Sequence, residues 1–169
     1  MTVSSFGWAR VHTLVHRLCK FWALLGGLVL IAVVLINAFS ITSDMIANKP
    51  FPGDFELTEV GVAIAAFCFL PFCQITGSNV SADLFTAGAS QWQIAAMRFF
   101  ANSVALVFAS LLLWRMWDGL LDYREYEEVT GILSFPLWIG FVPCLMSLVL
   151  LVAASFMSLV DFYGTRQRA

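Results

Sequence analysis

The candidate chemistry of this chain lies in a few ionisable side chains that adjoin or enter long apolar blocks. Glu56 and Glu59 are three residues apart, so both carboxylates fall on one face of a helix. Arg98 lies inside a third apolar block, and Asp83 follows the second block in a Ser-Ala-Asp motif typical of a helix cap. Because an ionisable group in hydrocarbon is costly, such residues usually mark function or a partner. We therefore predict structural or subunit-interface polar contacts at Glu56, Glu59, Arg98 and Asp83, with a cation site at Glu56 or a hydrated first helical turn as alternatives.

The cysteines and histidines show no pattern of a redox or metal site. The four cysteines form no CxxC pair, and we predict packing roles for Cys19, Cys68, Cys73 and Cys144. His12 and His16 share a helical face, but no further ligand lies beside them, and the apolar blocks offer no histidine to a haem. The sequence also contains no nucleophile triad, phosphate-binding glycine loop or basic nucleic-acid patch. We predict a protein that is not an enzyme, with no cofactor, no metal and no nucleic-acid partner.

Four charge-poor apolar blocks are the elements that must position these residues. Twenty-three uncharged residues separate Lys20 from Asp44, which is enough for the roughly 20 residues of a spanning helix. Only 16 residues separate Arg98 from Arg115, so the third helix must carry Arg98 in its first turns, where a long side chain can reach the interface. We predict an all-α membrane protein, one domain over residues 1–169, with four transmembrane helices at about 21–43, 57–77, 92–115 and 137–159.

The composition supports the same fold class. Hydrophobic residues make up 60% of the chain, charged residues 12%, and the mean hydropathy is +0.86. Soluble domains carry about 25% charged residues, so this composition excludes an ordinary soluble protein. Little chain remains outside the lipid bilayer.

The basic residues favour one side of the membrane. Four crossings leave both termini on the same side, which holds Arg10, Arg17, Lys20, Arg98, Arg166 and Arg168. The opposite side holds only Lys49, Arg115 and Arg124. The positive-inside rule therefore predicts cytoplasmic termini and outward-facing acidic loops.

The segment before the first span has its own character. Over about residues 6–19, Val11, Leu14, Val15 and Leu18 form one apolar stripe among basic and polar residues. This pattern predicts an N-terminal interfacial amphipathic helix. A cleaved signal peptide is not favoured, because the apolar run that follows is longer than the usual 7 to roughly 15 residues and no small-x-small cleavage site follows it.

Three stretches together resemble the small, four-helix membrane subunit of tripartite ATP-independent periplasmic (TRAP) transporters. They are PFPGDFELTE at 50–59, GSNVSAD at 77–83 and TGILSFPLW at 130–138, the last followed by Pro143. Glu56 and Asp83 keep the separation of 27 that the family shows, and Gly77 falls at the expected place. The chain departs from the family at Asn79, where His is common, and at Ala82, where Val usually precedes the Asp.

The resemblance implies a complex with a large membrane subunit that holds the sodium and substrate sites, and with a periplasmic substrate-binding protein. The small subunit would be a non-catalytic scaffold in the bacterial inner membrane, and the transporter would import organic acids by sodium symport. Small residues suited to close helix contacts occur at 26–27, 63–66 and 101–105. We predict that the acidic outer loops receive the binding protein at Asp118, Asp122, Glu125 and Glu127.

Two other functions stay open on sequence alone. A self-sufficient small exporter would act as a homodimer around a membrane Glu deep in its first helix, where this chain has Asn37. A structural anchor for a membrane enzyme complex is the other alternative.

Overall fold

The computed structural model describes the backbone of residues 3–77 and 91–166 and the side chains of residues 10–77, 96–97 and 99–160. Four helices account for most of this chain: α1 (Val3–Ala47), α2 (Asp54–Thr76), α3 (Gln91–Glu125) and α4 (Trp138–Arg166). All four are long and apolar enough to cross a membrane. The shortest, α2, has 23 residues and is about 35 Å long at 1.5 Å per residue, which exceeds the hydrocarbon core of a bilayer. The prediction of an all-α protein with four membrane-spanning helices is confirmed.

The first helix differs from the sequence-based expectation in its length. The segment at 6–19 and the span at 21–43 are one continuous helix of 45 residues. The physical reason is local, because α1 contains no proline and no glycine lies between Trp8 and Leu25 to interrupt the backbone hydrogen bonds. That the first part lies along the membrane interface stays a prediction.

The helices pack in the order α1, α2, α4, α3, with a smaller contact between α1 and α4. The helices α1 and α2 are antiparallel, since Ser40 contacts Asp54 and Gly26 lies against Cys68. The helices α2 and α4 run parallel, since Gly140 lies against Val60 and Ser147 against Cys68. Residues 48–53 and 126–137 therefore come together at one end of the bundle, which we call the loop end.

Small residues allow a close helix contact between α1 and α2. A Cβ on Gly26 would touch Cys68, and one on Gly61 would collide with Val33. Ala65 is buried in the same contact, whereas a Cβ on Gly27 would meet no atom within 4 Å and Ala63 is exposed. One residue of each of these two predicted small-residue groups thus mediates packing, because backbones can approach closely only where side chains are small.

Most buried side chains among the described residues are small, although Leu148 is fully buried, and many large apolar side chains are exposed. Buried positions include Cys19, Ala109 and Ala154, while Leu28 and Phe108 are more than 60% exposed. An exposed apolar surface of this extent requires hydrocarbon or another protein around it.

Candidate functional site at the loop end

The connection between α1 and α2 is held by a buried serine. Ser40, 2% exposed, donates its hydroxyl proton to Asp54 Oδ2 at 2.6 Å and accepts the backbone N–H of Phe51 at 3.1 Å. Gly53 precedes α2 with φ of 85°, a left-handed conformation that glycine adopts without a Cβ penalty. The serine therefore fixes the chain where it turns into α2.

A second chain of hydrogen bonds joins α1 and α2 one helical turn further from the loop end. Asn37 Nδ2 donates to Thr58 Oγ1 at 2.6 Å, and the Thr58 hydroxyl donates to the carbonyl of Asp54 at 2.7 Å. Asn37 also donates to the carbonyl of Val33 at 2.9 Å within its own helix. In an apolar environment polar groups need partners, and Asn37 and Thr58 supply them to each other across the α1–α2 contact.

The connection between α3 and α4 forms a compact loop with its own hydrogen bonds. The backbone N–H of Thr130 donates to the carbonyl of Phe135 at 2.9 Å, and the N–H of Leu137 donates to the carbonyl of Glu128 at 3.1 Å. Thr130 Oγ1 accepts the N–H of Phe135 at 3.0 Å, and Val129 pairs with Pro136 in a single antiparallel bridge. These bonds close the loop and place residues 131–134 at its tip.

Glu56 binds that loop tip. Its Oε1 accepts the backbone N–H of Ile132 at 2.7 Å, and its Oε2 accepts the N–H of Leu133 at 3.0 Å. Hydrogen bonds to an ionised carboxylate are among the stronger ones in proteins. The side chain of Leu133 lies directly over Gly53, where a Cβ would come within 2.7 Å of Leu133 Cδ1. The α3–α4 loop is thus joined to the first turn of α2 by one charged group and to Gly53 by one apolar contact.

Of the other predicted polar residues, the structure describes Glu59 with its side chain and Arg98 in its backbone. Glu59, three residues after Glu56, is exposed. The backbone of Arg98 lies in α3, about 40 Å along the helix from its loop-end residue Glu125. Asp83 falls outside the described residues.

The four acidic residues predicted to receive the binding protein lie in the last turns of α3 and just beyond it. Asp122, Glu125 and Glu127 are exposed and Asp118 is partly buried. Asp118, Asp122 and Glu125 have the spacing of one helix face. Glu127 has φ of 48° and follows the end of α3, where the N–H of Glu128 donates to the carbonyl of Tyr123 at 3.3 Å.

Besides the bonds of Ser40 and Asn37, two further interhelical hydrogen bonds were not foreseen from the sequence. Trp22 Nε1 donates to Ser147 Oγ at 2.7 Å and links α1 to α4, and Gln74 Nε2 donates to Asn102 Oδ1 at 3.1 Å and links α2 to α3. The Ser147 hydroxyl proton goes to the carbonyl of Pro143 at 2.8 Å within α4. A polar side chain inside an otherwise apolar helix is the signal that could have indicated these positions.

Within the part of the chain that the structure describes, histidine, cysteine, aspartate and glutamate side chains form no group of three placed to hold a metal ion. All four cysteines are free. The contacts at the loop end fix two loops, an acidic helix end and an exposed loop tip relative to each other.

Comparison with known families gives one result. The family model described as "Tripartite ATP-independent periplasmic transporters, DctQ component" matches residues 32–162, well over half of the chain. The matched range includes both loops of the loop end. No curated protein and no solved structure matches the chain.

Proposed function

Because this chain belongs to the DctQ component family, the small membrane component of tripartite ATP-independent periplasmic transporters, we propose that it is the fixed scaffold subunit of such a transporter. It packs on the large membrane subunit, which carries the sodium and substrate sites and moves during transport. The transported compounds are organic acids, delivered by a periplasmic binding protein. This chain itself binds neither the sodium ion nor the substrate.

The observation that carries this proposal is the contrast between the inside and the outside of the bundle. Inside, small residues and interhelical hydrogen bonds such as Trp22 to Ser147 connect neighbouring helices. Outside, α3 exposes large apolar side chains along its length, including Phe100, Phe108 and Trp114, at 71%, 62% and 62%. A scaffold needs internal rigidity together with an apolar surface that a larger membrane protein can cover.

We propose the bacterial inner membrane as the location, with cytoplasmic termini and the loop end in the periplasm. The excess of basic residues on the terminal side supports this orientation. Glu127→Cys tests it, because a membrane-impermeant maleimide should label this variant, and not the native chain with its four free cysteines, in intact spheroplasts. Labelling only after lysis would place the loop end in the cytoplasm.

Reconstitution tests the scaffold function. Proteoliposomes that contain both membrane subunits should accumulate substrate when a sodium gradient and the binding protein are supplied. Proteoliposomes that lack this chain should take up no substrate. Proteoliposomes that contain this chain but lack the large subunit should also take up no substrate. Uptake by the large subunit alone would contradict the proposal.

A further inference from the structure

The loop between α3 and α4 exposes five large apolar side chains, and three of them are at least half exposed. Tyr126 is 72% exposed, Val129 50% and Ile132 64%. We call these three residues the loop surface. Isolated exposed apolar residues are ordinary, but five within one short loop indicate a contact surface.

The backbone beneath the loop surface is fixed. Glu56 holds the N–H of Ile132, the pair Val129 and Pro136 closes the loop, and Leu133 is anchored over Gly53. Ile132 therefore presents its side chain outward from a backbone that is already ordered. A surface that is ordered before binding loses less conformational entropy when a partner arrives.

The charges around the loop surface indicate the chemistry of that partner. Exposed acidic residues flank it in sequence at Asp122, Glu125, Glu127 and Glu128, against one exposed basic residue, Arg124. An apolar centre with a charged rim is the usual anatomy of an interface between proteins. The acidic rim favours a partner whose own rim is basic, and it disfavours adsorption to a bilayer surface that carries anionic lipids.

We propose that Tyr126, Val129 and Ile132 are the contact centre for a soluble protein with a basic-rimmed apolar patch. This inference rests on the proposed function, which identifies the partner as the periplasmic binding protein. The acidic residues at the end of α3 then steer the encounter, and the apolar loop surface determines how long the complex lasts.

Binding measurements on the complete membrane complex test the proposal. The two membrane subunits are placed together in nanodiscs and the affinity of the purified binding protein is measured for the native chain, Tyr126→Ser and Ile132→Ser. Each substitution should weaken binding about tenfold, mainly through faster dissociation, because truncated central contacts of an interface have effects of this size. Met45→Ser is the matched control, since Met45 is 83% exposed on α1 at the same end of the bundle, and it should leave the affinity unchanged.

The outcomes separate this inference from the proposed function. Native affinity in both loop variants, with both membrane subunits present, would overturn the inference and leave the scaffold function intact. Loss of the large subunit from the loop variants would also overturn it, because the loop surface would then belong to the subunit interface. Failure of the native chain to assemble with the large subunit would remove the proposed function itself.

Discussion

Glu56 Oε1 accepts the backbone N–H of Ile132 at 2.7 Å and so joins two parts of the chain that are 76 positions apart in sequence. The second carboxylate oxygen accepts the N–H of Leu133 at 3.0 Å. One hairpin is formed by α1 and α2 and the other by α3 and α4, and Glu56 connects them at the loop end. The orientation of the α3–α4 loop therefore depends on a residue of the other hairpin.

Replacing Glu56 tests this connection. Glu56→Ala should expose the N–H groups of Ile132 and Leu133 to solvent, because each loses its carboxylate acceptor. Amide hydrogen exchange in residues 130–135 should become several-fold faster. Glu59→Ala is the control, since Glu59 is exposed one helical turn away, and it should leave exchange in the loop unchanged. Equal exchange in Glu56→Ala and the native chain would show that the loop is held by other contacts.

The α1–α2 contact gives a second prediction, with a control in the adjacent residue. Gly26→Leu should force Cys68 and the α2 backbone away and lower stability by about 1–3 kcal/mol, the usual cost of overpacking. Gly27→Leu should cost much less, because its Cβ would meet no atom within 4 Å. Unfolding of both variants in mixed micelles measures the difference. Similar losses in both variants would contradict a packing effect specific to Gly26, because helix propensity favours Leu over Gly at both positions.

The hydrogen bond from Trp22 to Ser147 gives a third prediction. Ser147→Ala removes the acceptor of a 2.7 Å bond between α1 and α4 and should lower the free energy of unfolding by about 1 kcal/mol. A double-mutant cycle with Trp22→Phe isolates the coupling between the two side chains. Ser158→Ala serves as the control, because the hydroxyl of Ser158 donates to the carbonyl of Ala154 in its own helix. Additive effects of Trp22→Phe and Ser147→Ala would rule out a direct contribution of this bond.

The end of α3 gives a fourth prediction. Glu127 adopts φ of 48°, a conformation that is unfavourable for residues with a Cβ. Glu127→Gly should therefore raise the stability of the chain by about 0.5–1 kcal/mol. Glu127→Ala removes the same charge but keeps the Cβ, and it should bring no such gain. If both variants change the thermal unfolding temperature equally, charge rather than backbone conformation accounts for the effect.

The four spans can be predicted from sequence because long apolar blocks bounded by charged residues have few alternative structures. The packing order cannot be predicted in the same way. Each helix is apolar around most of its circumference, so hydrophobic periodicity does not distinguish the face of α2 that meets α1 from the face that meets α4. Small residues give only part of this information, since Gly26 lies in a contact and Gly27 does not.

At the loop end, the sequence identifies Glu56 as a residue that needs a partner but not which partner it has. Its partners are the backbone N–H groups of Ile132 and Leu133, and any residue type other than proline supplies such groups.

The continuity of α1 is also not apparent from the sequence. A change from amphipathic to fully apolar sequence near Cys19 suggests two elements, yet the backbone contains no residue that would separate them.

The most direct test of the scaffold function is to identify what purifies with this chain from its native host. The tagged protein is extracted in mild detergent, and its partners are identified and quantified by mass spectrometry. We expect one large polytopic membrane protein in a stoichiometric amount. A pure homodimer without such a partner would contradict the scaffold function and would favour a self-sufficient small exporter.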